Sequence, residues 1–139
     1  MSAAERLETL LATRPFLRFL GVTGEVQDGI VTLSLPFAPH LVGNVLLPAL
    51  HGGIIGTLME AAALAQLTLG SDPTLSFRTI DMTIDYLRPG LAKTTHARAD
   101  LRKLGRRISS LQVEAWQDDP ARPIAALRGH FRQTDGIPA

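Results

Sequence analysis

The chain contains no cysteine, which excludes a disulfide scaffold, thiolate metal ligands and a cysteine nucleophile. It also lacks an excess of charge, since fourteen Lys and Arg against thirteen Asp and Glu leave a formal +1. No overall field therefore draws in nucleic acid or an acidic membrane surface, and an anionic ligand has to be met by a local patch. The opening residues Met1-Ser2-Ala3-Ala4-Glu5-Arg6 place an acid, and no basic lead, ahead of any apolar run. That is unlike a secretory signal, and a cytoplasmic protein is expected. No G-x-S-x-G elbow and no phosphate-binding glycine loop is present, which weakens the serine-hydrolase and nucleotide-enzyme readings. His40, His51, His96 and His130 form no close metal-binding pair with one another or with a suitable carboxylate. Neither a metal nor a cofactor is expected.

The longest apolar stretch is residues 54–69, whose polar members are Thr57, Glu60, Gln66 and Thr68. As a helix it reaches about 24 Å, short of the ~30 Å hydrocarbon core of a bilayer, and Glu60 would sit inside. It reads as the buried helix of a soluble domain.

With 139 residues and 45% hydrophobic content, the chain suits one domain, residues 1–139, with a substantial core. Ser2 and Glu5 have capping-box spacing, and Leu7, Leu10 and Leu11 recur at helical intervals, which predicts a helix over 3–13 that Pro15 ends. Strands over 22–27 and 30–35 flank Asp28-Gly29, a pair suited to a tight hairpin turn. Residues 36–50 carry Pro36, Pro39, Gly43, Asn44 and Pro48, a density of breakers that predicts an irregular connection. His51-Gly52-Gly53 then opens the apolar helix. Downstream, Ile80, Met82, Ile84 and Tyr86 alternate with Thr79, Asp81, Thr83 and Asp85, a period of two that signals a half-buried strand. Further strands are expected over 94–103, 107–117 and 124–132, and their short connections favour antiparallel neighbours. A helix apolar on nearly every face has to be covered on nearly every face. A curved antiparallel sheet around it, with a second subunit closing the remaining side, would do so.

Glu60 is the anomaly of this pattern. A buried, unpaired carboxylate costs several kcal/mol, so Glu60 needs a partner, a shifted pKa or access to a cleft. It suits either chemistry or a structural ion pair with a sheet arginine. His51-Gly52-Gly53 stands where free backbone N–H groups carry the positive end of the helix dipole, and its glycines let a ligand approach. Such donors can hold an oxyanion, although the same glycines also suit close packing and the histidine suits a cap. His51 and Glu60 are nine residues apart, about 13.5 Å along a helix and roughly half a turn around it. One helix cannot aim both at one atom, so a shared reaction requires two antiparallel copies of the helix.

Gly43-Asn44, His51-Gly52-Gly53, Glu60, the strand from Thr79 to Pro89 and the Gly105-Arg106-Arg107 turn together resemble the hotdog-fold acyl-CoA thioesterases of the phenylacetate-pathway (PaaI-like) type. The likeness covers about residues 20–133. It implies an α+β fold with a sheet wrapped around a central helix, homodimers with a continuous sheet that often pair into tetramers, and hydrolysis of acyl-CoA at the dimer interface. By this resemblance Glu60 is the catalytic carboxylate, Gly52 supplies the oxyanion-side N–H, and Asn44 and His51 are polar assistants. Gly53 borders the substrate, and the family's strand-borne hydroxyl falls on Thr79. Many relatives carry Asp where this chain has Glu60.

Glu60 would either activate a water or attack the thioester itself. Strict alternation puts Thr79 on the face opposite Ile80 and Met82, so reaching the helix would require a bulge. Arg102, Lys103, Arg106 and Arg107 cluster at one turn, and with Arg88 they suit either CoA phosphates or a solvated surface. Leu46, Leu47, Leu50 and the helix would line a nonpolar cleft. The expected substrate is a small aryl or short-to-medium acyl-CoA, with CoA entering as part of the substrate. A non-catalytic acyl-CoA sensor on the same fold is the main alternative. A hydratase, which would want a His-centred acid/base pair, fits less well.

Overall fold

The computed structural model describes residues 1–44, 46 and 49–134. Helix α1 (Ala3–Ala12) starts where the capping box predicts, with the Ser2 hydroxyl oxygen accepting from the Glu5 N–H at 3.1 Å. Pro15 ends this helix and also begins a second, α2 (Pro15–Leu20), which the sequence reading did not anticipate. Proline serves both purposes because its fixed φ suits a first helical turn, where its missing N–H is not needed. The hairpin of β1 (Thr23–Gln27) and β2 (Ile30–Leu35) turns on Asp28 and Gly29, at φ 52° and 76°. Two successive left-handed residues match the twist of the flanking strands.

The breaker-rich connection is less irregular than expected. It contains a 3-10 turn (Pro39–Leu41) and two short antiparallel strands, β3 (Val42–Asn44) and β4 (Ala49–Leu50). Helix α3 (Gly52–Leu69) follows, then β5 (Ser76–Tyr86), β6 (Thr95–Lys103), β7 (Ile108–Trp116) and β8 (Ala125–Thr134). The six-stranded sheet has the order β1-β2-β6-β7-β8-β5, antiparallel throughout. Sequential neighbours pair as predicted for β1–β2, β6–β7 and β7–β8. The expectation fails at β5, which pairs with β8. Helix α3 crosses one sheet face from β2 to β5, so the strand that follows it arrives at the far edge, and the chain must return before β6 can join β2.

Residues 52–69 are long and apolar enough to span a bilayer by length and composition. Here Ile55, Leu58, Met59, Ala62 and Ala63 are buried against Val31, Leu33, Ala97, Leu111, Leu127 and Phe131 of the sheet. Alanines on both sides of this contact let the helix sit close, and each larger side chain buried there contributes about 1.5–3 kcal/mol. Two side chains fix the end of α3. Arg6 donates to the Thr68 and Leu69 carbonyls at 3.1 and 3.4 Å, placing a cation at the negative end of the helix dipole. The Gln66 amide donates to the Gly29 carbonyl and accepts from the Val31 N–H, both at 2.9 Å, tying the helix to the hairpin. The architecture is the α+β arrangement of antiparallel sheet and central helix that the resemblance implies.

Candidate active site

Glu60 lies midway along α3 and is half-buried. Its Oε2 accepts from the Thr79 hydroxyl at 2.6 Å, and Thr79 is its hydrogen-bond partner among the described residues. Simple alternation would have turned Thr79 away. The register with β8 runs Thr79↔Phe131 and then Asp81↔His130, leaving Ile80 as an extra residue. This one-residue bulge resets the phase of the strand. Thr79 falls opposite the fully buried Phe131, whereas Asp81 meets exposed His130 at 2.8 Å on the other face. Ile80, expected on the inner face with Met82, is half exposed at the bulge. Nothing in the residue types around position 80 marks the irregularity.

At the start of α3, His51 is the N-cap, and its Nδ1 accepts from the Gly53 N–H at 3.0 Å. The Tyr86 hydroxyl donates to the Gly52 carbonyl at 2.8 Å. A single peptide unit, the one joining Gly52 to Gly53, is thus held at its N–H by a histidine and at its C=O by a tyrosine. A side chain at position 52 would meet Tyr86, since a Cβ there would lie 3.3 Å from the phenol Cζ and Oη. The Gly53 N–H is taken by the cap, while the Gly52 N–H has no partner among the described residues. Tyr86 went unnoticed in the sequence reading, which treated it as one more apolar member of β5. Its being the chain's lone tyrosine, at the strand end before Arg88-Pro89, was the available signal.

Gly52 and Glu60 are not brought together within one chain. Eight residues of helix separate them by about 12 Å, and each faces its own residue of β5, Tyr86 and Thr79 respectively. Both pairs lie along the edge strand of the sheet, where Ile80, Met82 and Tyr86 are exposed.

The remaining residues named from the sequence scatter. Asn44 ends β3, and its side chain lies outside the described residues. Arg88 donates to the Pro123 carbonyl beside a cleft of about 340 Å³ that also includes Lys93 and Arg122. Arg106 and Arg107 are exposed in the β6–β7 turn, where the Arg107 carbonyl accepts from the Gln133 N–H at 2.6 Å. Gln133 pairs with Phe77 near the start of β5, so these arginines and Arg88 flank opposite ends of that strand.

Beside Glu60 opens a cleft of about 260 Å³, with Leu10 of α1 and Phe16 and Leu17 of α2 facing Ala61, Leu64 and Thr68 of α3. Its walls differ from those expected. Leu50 is buried in the core and Leu46 is 94% exposed; Leu47 lies outside the described residues. A carboxylate held by one hydroxyl at the side of an apolar cleft can take a proton from water or attack a carbonyl.

Comparison with known proteins agrees with this architecture. The family model of the acyl-CoA thioesterase N-terminal domain matches residues 46–132. The chain is 31% identical over 119 residues to the medium/long-chain acyl-CoA thioesterase YigI of Salmonella typhimurium, covering 76% of this chain and 77% of that protein. Among solved structures, a Chromobacterium violaceum protein aligns with a TM-score of 0.75 at 33% identity, covering 94% of this chain and 91% of that one. The E. coli PaaI protein of the phenylacetic acid degradation operon shares the fold, with a TM-score of 0.82 at 21% identity over 95% of this chain and 94% of that one. The chain belongs to the acyl-CoA thioesterase family.

Proposed function

We propose that this protein hydrolyses medium-length acyl-CoA thioesters to free acid and CoA, with Glu60 as base or nucleophile. The observation that carries the reading is Glu60 itself, a carboxylate anchored by Thr79 at the side of an apolar cleft. Medium chains are the top of the range expected from the sequence, and there the cleft and the name of the YigI relatives agree. In the general-base route a water loses a proton to Glu60 and its oxygen adds to the thioester carbonyl. The tetrahedral intermediate collapses by breaking the C–S bond, and the CoA thiolate leaves and takes up the proton. In the nucleophilic route a Glu60 oxygen adds to the carbonyl and the C–S bond breaks, expelling the CoA thiolate and leaving an anhydride with Glu60, which water hydrolyses to the free acid and the regenerated carboxylate while the released proton goes to the thiolate.

The oxyanion formed in either route needs a donor. The N–H of Gly52, which has no partner among the described residues, suits this role, but only from a second copy of the chain, because Gly52 of the same chain is too far away. Antiparallel pairing of two β5 edges about a two-fold axis would bring the Thr79 half of one strand beside the Tyr86 half of the other. The product is a homodimer, which further pairing makes a dimer of dimers. The same operation brings Arg106 and Arg107 of one copy near Arg88 of the other, so both cationic groups would serve the phosphates of one CoA. Gly53 then borders the substrate, Asn44 remains the polar assistant implied by the resemblance, and His51 acts as the cap that orients the helix start. That engagement of His51 also weakens the hydratase reading.

The test is release of free CoA from a panel of acyl-CoAs, followed with a thiol reagent. Glu60→Gln, which removes the anion with almost no change of volume, should lower kcat by about two orders of magnitude or more. Near-normal turnover would overturn the assignment, and saturable binding without CoA release by the native protein would support the sensor reading.

A further inference from the structure

The cleft beside Glu60 is walled on one side by two helices that precede the hairpin and that the thioesterase family match, residues 46–132, leaves out. Their apolar side chains Leu10, Phe16 and Leu17 face Ala61, Leu64 and Thr68. On α3 Leu64 and Thr68 share a face with Glu60, since they follow it at intervals of four and eight residues, and Ala61 flanks that face. The cleft is therefore a channel that runs along α3 from Thr57, past the carboxylate, toward the end of the helix, where Arg6 pins α1 to the Thr68 and Leu69 carbonyls. Its volume, about 260 Å³, falls just short of the ~300 Å³ at which pockets begin to enclose a drug-sized ligand. It suits one part of a substrate, and an apolar part.

We infer that this channel holds the acyl chain and that the helical pair α1–α2 sets the chain length the protein prefers. The inference rests on the reading of Glu60 as the group that acts at the thioester carbonyl. From Glu60 to Thr68 is eight residues of helix, about 12 Å. An extended alkyl chain with bonds of ~1.5 Å advances about 1.3 Å per carbon, so about nine carbons fit beyond the carbonyl. A ten-carbon acyl group fills the channel, and longer chains emerge at the far end into water. Leu64 stands halfway, level with about the fifth carbon.

The experiment measures binding and turnover together. Affinity for S-alkyl-CoA thioethers, which cannot be hydrolysed, is determined by calorimetry across chains of four to sixteen carbons, alongside kcat/KM for the matching acyl-CoAs. Affinity should rise up to about fourfold per methylene, the value for removing one CH2 from water, and level off near ten carbons. Thr68→Trp, which fills the far end, should move the plateau down by about two carbons. Leu64→Trp should move it to about six, and Leu17→Ala should weaken the ladder and extend it. A plateau that stays put within one carbon in all three variants would overturn the inference. So would a Leu64→Trp protein that binds the whole series like wild type but changes its sedimentation, because the cleft would then be a contact between copies. Should Leu64→Trp fail to fold, Thr68→Trp and Leu17→Ala carry the test. The two readings fail separately: Glu60→Gln with normal turnover removes the catalytic assignment, while its thioether ladder still reports on the channel.

Discussion

The Thr79 hydroxyl and the Glu60 carboxylate are joined at 2.6 Å across the helix–sheet interface, and the bulge at Ile80 is what turns the threonine inward. A hydrogen bond to a charged group is worth about 1.5–3 kcal/mol when one partner is deleted. Thr79→Val keeps the shape and β propensity and should lower kcat about tenfold or more, with little change in KM. Thr79→Ser should restore most of the loss. Steady-state kinetics of the two variants checks this, and a near-normal Thr79→Val beside a defective Thr79→Ser would mean that the methyl group, not the hydroxyl, matters.

His51 and Tyr86 hold opposite ends of one peptide unit, so their contributions should be coupled. His51→Ala removes an N-cap and Tyr86→Phe removes an exposed hydrogen bond to the helix start, each costing about 1 kcal/mol of stability. The double variant should cost less than the sum by about 0.5 kcal/mol, as for other side chains sharing one partner. His51→Asn, which can cap in the same way, should recover both stability and turnover. If it recovers stability alone, the imidazole takes part in the chemistry.

A site shared between copies predicts complementation. Glu60→Ala and Gly52→Val, the latter crowding Tyr86, should each be inactive alone. A mixed dimer regains one site with both native groups, and its other site lacks both. Random reassortment of equal amounts makes half the dimers mixed, so activity should recover to about a quarter of wild type if the sites are independent. A purified mixed dimer without activity, from variants that fold well alone, would assign both residues to one protomer's site.

Arg106 and Arg107 lie at the end of β5 where the two-fold pairing would present them to the CoA phosphates. Replacing both with Gln should raise KM about tenfold for an acyl-CoA, and much less for the pantetheine ester of the same acid, given that charge-assisted contacts are worth about 1.5–3 kcal/mol each when desolvated and less when exposed. An equal effect on both substrates would return these arginines to the solvated surface.

Much of the fold was legible because its signals are local. The capping box of Ser2 and Glu5, the Asp28-Gly29 turn, the apolar run after His51-Gly52-Gly53 and the alternation in β5 each depend on residues within one turn or one strand. The misses are non-local. Whether Pro15 closes a helix or opens another depends on what the next six residues pack against, and the pairing of β5 with β8 instead of β6 depends on where α3 delivers the chain. Among the site residues, Glu60 stood out because a carboxylate within an apolar helix conflicts with its surroundings. Tyr86 did not, because a tyrosine suits an edge strand whether or not its hydroxyl is used.

By itself the sequence determined the elements, the hotdog arrangement through its ordered motifs, and the carboxylate around which the site is built, since these follow from periodicity, backbone preference and the cost of burying charge. Only the tertiary structure decided which groups meet that carboxylate. A single unpaired residue in β5 selects the face of Thr79, the Tyr86 hydroxyl reaches across from the sheet to fix the Gly52 carbonyl at the start of α3, and the seating of α1 and α2 shapes the cleft. Each of these is a contact between segments distant in the chain, where a shift of one residue or an ångström reverses the outcome and leaves no mark on the local pattern.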